Sequence, residues 1–141
     1  NNKIIRIMVI DTEILLRLVL AVVAGGIIGF ERKAAKKPAG VRTQMLVCMG
    51  AALFVLITVN TFPDDAGRIM AGVATGVGFL GAGTIFRAED HVKGLTTAAS
   101  IWIVAAIGLA IGLGEYVLAV ATTTLVILIL QLSRLEFFKG T

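Results

Sequence analysis

Charged side chains are scarce in this sequence, where they make up 16% of the 141 residues. Soluble domains carry roughly 25% charged residues, so this chain has little polar surface to present to water. Hydrophobic residues reach 57%, and the mean hydropathy is +0.95. We therefore expect an integral membrane protein rather than a soluble domain built on apolar core helices.

Residues that carry out chemistry are also few. Cysteine and histidine occur once each, as Cys48 and His91. A single cysteine excludes a disulfide framework within the chain and a cysteine-type metal cluster. No Ser/His/Asp or Cys/His arrangement can be assembled, and no acid lies mid-span to relay protons. We predict a protein that is not an enzyme and uses no cofactor, with any metal left undetermined.

Long uncharged runs, by contrast, are abundant. They cover residues 43–63, 69–86, 94–114 and 116–133, each near or above the ~18 apolar residues that indicate a membrane span. A further run over 14–30 contains only Arg17, which can reach the interface. The predicted fold is an all-α polytopic membrane bundle of about five helices in one domain, residues 1–141, with spans at 12–30, 43–62, 68–86, 95–113 and 116–133.

Basic residues divide unevenly between the two sides of this bundle. Nine fall in the first loop, the third loop and the tail, against four on the other side. Because basic loops favour the cytoplasm, the N-terminus is predicted outside and the C-terminus in the cytoplasm. Loops beside anionic lipid headgroups account for the net charge of +4, so no nucleic-acid partner is expected.

The octapeptide GVGFLGAG, residues 76–83, contains a GxGxxG pattern. A dinucleotide site would need a preceding strand and an acid about twenty residues further on, and an uncharged membrane run supplies neither. Small residues at helical spacing instead favour close helix packing, with the third helix as its centre. The glycines predicted to pack are Gly25, Gly29, Gly72, Gly76, Gly78, Gly81, Gly83, Gly108 and Gly112. A kinked, ion-binding third helix is the alternative.

An internal similarity appears at an offset of 54 residues. GVRT at 40–43 then matches GLTT at 94–97, and Ala51-Ala52 matches Ala105-Ala106. This pattern predicts a parallel repeat in which helices one and two correspond to helices three and four.

The first loop, FERKAAKKPAGVRT, holds the densest charge. Pro38 and Gly40 predict a turn, and Thr43 can cap the following helix. Glu31 is expected to pair with Arg32 or Arg42, which is the structural interpretation. The functional alternative is a cytoplasmic anion pocket formed by two helix N-termini, in which Arg42 and Thr43 meet Gly94, Thr96 and Thr97.

On the opposite side, Asp64 and Asp65 precede Arg68. An acidic residue here is expected to cap the third helix, with Asp65 in that position. A divalent cation bound by the acidic pair is the alternative.

GFERK at 29–33, PAGVRTQMLVCMGAAL at 38–53, the Asp65 to Arg68 turn, GVGFLGAGTIFR at 76–87 and GLTTAASIW at 94–102 together resemble the membrane domain of the MgtC/SapB family. The resemblance covers about residues 12–133. It implies a multi-pass protein of the bacterial or archaeal inner membrane with five spans. It also implies links to growth at low magnesium and virulence, and regulation of partners such as the F-type ATP synthase.

The functional residues that the resemblance implies are Glu31, Arg32, Arg42, Thr43, Asp65, Arg68, Thr96 and Thr97. Gly72 and Gln44 depart from residues frequent in the family, Gln and His respectively. Longer members carry an ACT-like cytoplasmic domain after the bundle, and we expect none in this chain.

Three functions remain open at this point. The first is a regulator that contacts membrane partners through its helices, and the second is a channel or transporter for ions or small solutes. The third is an anion or lipid sensor built on Arg42 and Thr43. A homodimer within the lipid bilayer is also predicted, because spare small-residue faces favour self-association.

Overall fold

The computed structural model describes the backbone of residues 2–88 and 91–132 and the side chains of residues 12–87 and 91–132. These ranges form five α-helices: α1 Asn2–Ala34, α2 Val41–Thr61, α3 Ala66–Ala82, α4 Leu95–Leu113 and α5 Tyr116–Gln131. A 3₁₀ turn at Pro63–Asp65 joins α2 to α3. An antiparallel hairpin, β1 Phe86–Ala88 and β2 His91–Lys93, joins α3 to α4. The all-α prediction is confirmed, with this short hairpin as an addition.

Three of the helices are long and apolar enough to cross a membrane: Thr12–Ala34 within α1, Val41–Thr61 and Leu95–Leu113. The other two have 17 residues in α3 and 16 in the described part of α5. At 1.5 Å per residue these measure roughly 25 Å, against about 30 Å of hydrocarbon. Their spans and the orientation of the bundle therefore stay predictions, and position 133 lies outside the described residues.

The third helix is shorter than predicted, because it ends at Ala82 rather than at residue 86. The Thr84 hydroxyl donates a 2.7 Å hydrogen bond to the Gly81 carbonyl, and the Thr84 N–H also bonds that carbonyl at 2.9 Å. Such a local side-chain bond competes with helix continuation. The chain then turns into β1, whose Phe86 pairs with Lys93 of β2.

The core of the bundle lies around α4, where α1 and α2 pack closely. Buried residues recur along the whole of α4, from Thr97 to Gly112, whereas Gly81 is the buried residue of α3. Fully buried Cys48 and Ala52 of α2 face Val104 and Ile107 of α4 in the same cluster. The prediction that the third helix is the centre is therefore wrong.

Glycines make the close contacts at this core. A Cβ on Gly25 would lie 2.5 Å from the Gln44 carbonyl oxygen, and one on Gly29 would lie 2.5 Å from the Cα of Val41. A Cβ on Gly112 would lie 2.8 Å from the Ala52 oxygen, and one on Gly108 would overlap the Cys48 oxygen. The α1 and α4 backbones thus both rest directly on α2, as small residues permit in membranes.

The glycines of α3 behave differently. A Cβ on Gly72, Gly76 or Gly78 would meet no atom within 4 Å, so the prediction that these three pack against helices of the same chain is wrong. A Cβ on Gly81 would lie 3.2 Å from the Ala98 oxygen of α4, and one on Gly83 would meet carbonyls of its own helix end. The three open glycines all precede Gly81, the position at which α3 comes close to α4.

The structure agrees with the predicted parallel repeat at one pair of equivalent positions. Gly40 and Gly94 are the N-cap residues of α2 and α4, as the offset of 54 requires. Gly94 has φ +94°, whereas Gly40 has φ −79°. A Cβ on Gly94 would overlap the Thr84 oxygen, so the absence of a side chain at Gly94 lets the chain before the hairpin pack against the start of α4. The repeat itself stays a prediction.

Two glycine substitutions test this arrangement of helices. Gly108→Ala should lower the free energy of unfolding by about 1–3 kcal/mol, because the new methyl group overlaps the α2 backbone. Gly76→Ala is the matched control and should raise it by up to about 1 kcal/mol, because alanine favours the helix and the position is open. Unfolding in mixed micelles with increasing sodium dodecyl sulfate measures both. Equal effects of the two substitutions would contradict the fold.

Candidate functional site

The end of α1 forms the first part of the polar site. Lys37 N–H bonds the Arg32 carbonyl at 2.9 Å and Lys36 N–H bonds the Lys33 carbonyl at 3.0 Å, which is a Schellman ending. Lys36 occupies the left-handed position at φ 54°, and Ala39 has φ 55°. Two non-glycine residues with positive φ in one loop cost on the order of 1 kcal/mol each, so the surrounding contacts fix this loop.

Glu31 and Arg32 form a buried ion pair beside this loop. They belong to the last turns of α1 rather than to the loop in which they were predicted. Arg32 is 2% exposed and Glu31 7% exposed. Arg32 Nε donates to Glu31 Oε2 at 2.6 Å, and Arg32 Nη2 lies 2.5 Å from the same oxygen. Of the two predicted partners for Glu31, the structure shows Arg32.

Gln44 links three elements at the same end of the bundle, and sequence analysis assigned it no role. Its side chain is fully buried, and Nε2 donates to the Ala39 carbonyl at 3.2 Å and to Ser100 Oγ at 3.0 Å. Ser100 Oγ in turn donates to the Thr97 carbonyl at 2.7 Å. These bonds join the α1–α2 loop, α2 and α4. The sequence signal for this role is a single amide side chain, that of Gln44, within an otherwise apolar run.

A basic cleft opens next to this network, between the α1–α2 loop, the hairpin and the start of α4. Its volume is about 530 Å³. The residues that line it are Lys36, Lys37, Pro38, Phe86, Val92, Lys93, Gly94, Leu95, Thr96 and Thr97. The structure therefore brings the predicted residues Pro38, Gly94, Thr96 and Thr97 together with three lysines.

Arg42 and Thr43 do not line the basic cleft, so the predicted pocket built on them is wrong in its composition. Both are exposed on the first turn of α2. Gly40 is the N-cap of α2, and that helix start has no side-chain cap hydrogen bond, so the predicted Thr43 cap is not formed. The two residues are displaced because the loop turns at Ala39, ahead of the helix.

The opposite end of the bundle holds two other charged contacts. Asp65 is the N-cap of α3 but makes no side-chain cap bond, and instead pairs with Arg68 at 2.8 Å. Arg17, which sequence analysis placed at the interface, donates at 2.6 Å to the Gly112 carbonyl and also pairs with Glu13. A cation at the C-terminal end of α4 stabilises the helix dipole. Among the described residues, no group of three or more His, Cys, Asp or Glu could hold a metal ion.

A second concavity, the α2–α3 groove, lies on the lateral face of the bundle. It encloses about 550 Å³. Its lining consists of Leu46, Val47, Gly50, Ala51, Phe54, Arg68, Ile69, Gly72, Val73, Gly76, Val77 and Leu80. The predicted glycines Gly72 and Gly76 thus lie on an open surface of the chain rather than in its core.

The buried ion pair and the exposed pair provide a direct comparison. Arg32→Gln should lower the free energy of unfolding by about 3–5 kcal/mol, because it removes the opposite charge of Arg32 from beside the buried Glu31 carboxylate. Arg68→Gln should cost less than about 1 kcal/mol, because Arg68 is exposed to solvent or headgroups. Unfolding in mixed micelles measures both, and circular dichroism checks the helical content. Similar costs for the two variants would contradict the burial of the first pair.

Comparison with known proteins places the chain in a family. The model of the MgtC family matches residues 18–136. The "Putative magnesium transporter YhiD" of Escherichia coli K12 is 44% identical over 136 residues, covering 90% of this chain and 63% of YhiD. Protein MgtC of Salmonella typhimurium LT2 is 45% identical over 113 residues, covering 80% of this chain and 49% of MgtC.

Protein SrpB of Synechococcus elongatus is 43% identical over 130 residues, covering 82% of this chain and 71% of SrpB. The chain thus spans about half to two thirds of the length of YhiD and MgtC. No solved structure matches it. With a family match over most of its length and apolar helices long enough to span a bilayer, the chain belongs to the MgtC family of membrane proteins.

Proposed function

We propose that this protein is a non-enzymatic regulator of the inner membrane that binds a transmembrane helix of a larger protein in the α2–α3 groove. The observation that carries the proposal is the open glycine floor of the groove. A Cβ on Gly50, Gly72 or Gly76 would meet no atom within 4 Å, although all three residues line the concavity.

The shape of the groove fits a helix. The lining residues of α3 extend from Arg68 to Leu80, which is about 18 Å at 1.5 Å per residue. Phe54 and Leu80, both more than half exposed, project from its two helices. A helix seated between them could bring its backbone close to the glycines, and small residues stabilise helix pairs in membranes by this close approach.

A lipid tail is a weaker occupant than a helix. Acyl chains make dispersion contacts with any apolar surface, so they gain little from a floor without side chains. A helix backbone over glycine can add Cα–H···O contacts to those dispersion contacts. A subunit of the F-type ATP synthase, which the family resemblance implies as a partner, is one protein that could supply such a helix.

The groove proposal is tested by photo-crosslinking in native membranes. With a photoreactive phenylalanine at Leu80, we expect a crosslink to a distinct membrane protein, and Gly76→Leu should reduce its yield about tenfold by filling the floor. The same probe at Val117, which is 86% exposed on α5, is the matched control and should not give that product.

Two outcomes would overturn the groove proposal. One is a crosslink from Leu80 to a second copy of the chain alone, which would instead assign the groove to the predicted homodimer. The other is a partner crosslink that Gly76→Leu leaves unchanged. Because a Cβ on Gly76 would meet no atom within 4 Å, the leucine variant should keep its helical content and stability, and circular dichroism checks this.

A solute pathway is the second candidate function, and the name of the relative YhiD, which mentions magnesium transport, favours it. Two threonines that a pathway along α3 could use instead bond nearby backbone: Thr75 Oγ1 donates to the Ala71 carbonyl and Thr84 Oγ1 to the Gly81 carbonyl. Purified protein in liposomes loaded with a magnesium dye distinguishes the two functions. The regulator proposal expects no Mg²⁺ flux above empty liposomes, and flux that depends on the protein would favour transport.

A further inference from the structure

We infer that the basic cleft binds a phosphate group, carried either by an anionic lipid headgroup or by a free phosphate. The inference is independent of the α2–α3 groove, because the two concavities share no lining residue. It rests on three features of the cleft: a helix N-terminus, the hydroxyl of Thr97 and a set of lysines.

The first feature is the start of α4, a helix of 19 residues. The Ala98 N–H bonds the Gly94 carbonyl, so the amides of Leu95, Thr96 and Thr97 precede the first helical hydrogen bond. No side chain caps this end. Unpaired amides and the positive end of the helix dipole favour an anion at this position.

The second feature is the side chain of Thr97, which points to a ligand independently of the helix end. Thr97 is 3% exposed and lines the basic cleft. Its backbone carbonyl accepts the bond from Ser100, but its hydroxyl has no hydrogen-bond partner among the described residues. A phosphate oxygen in the cleft would accept the proton of this hydroxyl.

The third feature is charge. Lys36, Lys37 and Lys93 come from two different elements, the α1–α2 loop and β2, and converge on one cleft. No carboxylate of the described residues lines the cleft with them. Three ammonium groups that line one cleft favour a ligand with more than one anionic oxygen.

The cleft also contains an apolar part. Phe86, Val92 and Leu95 line it, and each is more than half exposed. A headgroup phosphate on the lysines would leave the glycerol and upper acyl chain beside these side chains, whereas a free phosphate would use the polar part alone. Both ligands share the same phosphate chemistry, so the test is designed to separate them.

Binding is measured by native mass spectrometry of the detergent-purified protein with phosphatidylglycerol or phosphatidylcholine. We expect tighter binding of phosphatidylglycerol. Replacing the three lysines, Lys36→Gln, Lys37→Gln and Lys93→Gln, should weaken it about tenfold or more, since the variant removes every ammonium group that lines the cleft among the described residues. Thr97→Val should weaken it about threefold to tenfold through loss of one hydroxyl bond.

The matched control is Arg42→Gln, which removes a positive charge at the same end of the bundle but outside the cleft. Its affinity should stay within about twofold of the unmodified protein, because the Arg42 side chain does not line the cleft. Lys93→Arg should retain binding, because it keeps the charge. Circular dichroism of each variant reports whether the fold is retained.

A second experiment distinguishes a lipid headgroup from free phosphate as the ligand. Inorganic phosphate at millimolar concentration, added without anionic lipid, should raise the melting temperature and compete with phosphatidylglycerol if the ligand is free phosphate. If it does neither, while phosphatidylglycerol still binds through the lysines, the ligand is a lipid headgroup. The inference is overturned if neither probe binds better than phosphatidylcholine. It is also overturned if the triple lysine variant binds like Arg42→Gln.

Discussion

Direct backbone contact at four glycines is the constraint on which the rest of this structure depends. Gly25 and Gly29 place α1 against the start of α2, and Gly108 and Gly112 place α4 against its middle. Helices in lipid gain no hydrophobic free energy by associating, so close contact must supply the stabilisation. The three helices held in this way are the same three that are long and apolar enough to span a membrane.

The polar end of the bundle follows from that contact. Because α1, α2 and α4 lie so close together, Gln44 is sealed from solvent and must bond to Ala39 and Ser100. Those bonds hold the α1–α2 loop in its conformation with two positive φ values. The loop then places Lys36 and Lys37 opposite Lys93, which creates the basic cleft. The α3 helix takes little part in the core, and so the α2–α3 groove stays open.

Much of the architecture could be predicted from the sequence, because uncharged runs and helix length depend on local composition. The starts of α4 and α5 at Leu95 and Tyr116 agree with the predicted spans. Partner choice could not be predicted in the same way. Gly76 and Gly108 both lie in small-residue patterns, yet one is open and the other touches Cys48. That difference depends on where the hairpin redirects the chain, which helical spacing does not encode.

The candidate site could likewise be predicted only in part from the sequence. Gly94, Thr96 and Thr97 were predicted to share a pocket, and they do, because adjacent positions at one helix start stay together. Arg42 lies outside the cleft, and the sequence pattern does not single out the lysines that line it. The positions of Lys36, Lys37 and Arg42 depend on positive φ at Lys36 and Ala39, a conformation that non-glycine residues rarely adopt.

The open face of α3 is the central claim about how this chain meets other proteins. It is tested most directly by electron paramagnetic resonance of a spin label at Gly76, introduced as Gly76→Cys in a Cys48→Ala background, in dilute nanodiscs. The account predicts a mobile label with high accessibility to dissolved oxygen, comparable with a label at exposed Val117 of α5. An immobile label shielded from oxygen would contradict it, since Gly76 would then lie in a closed helix contact.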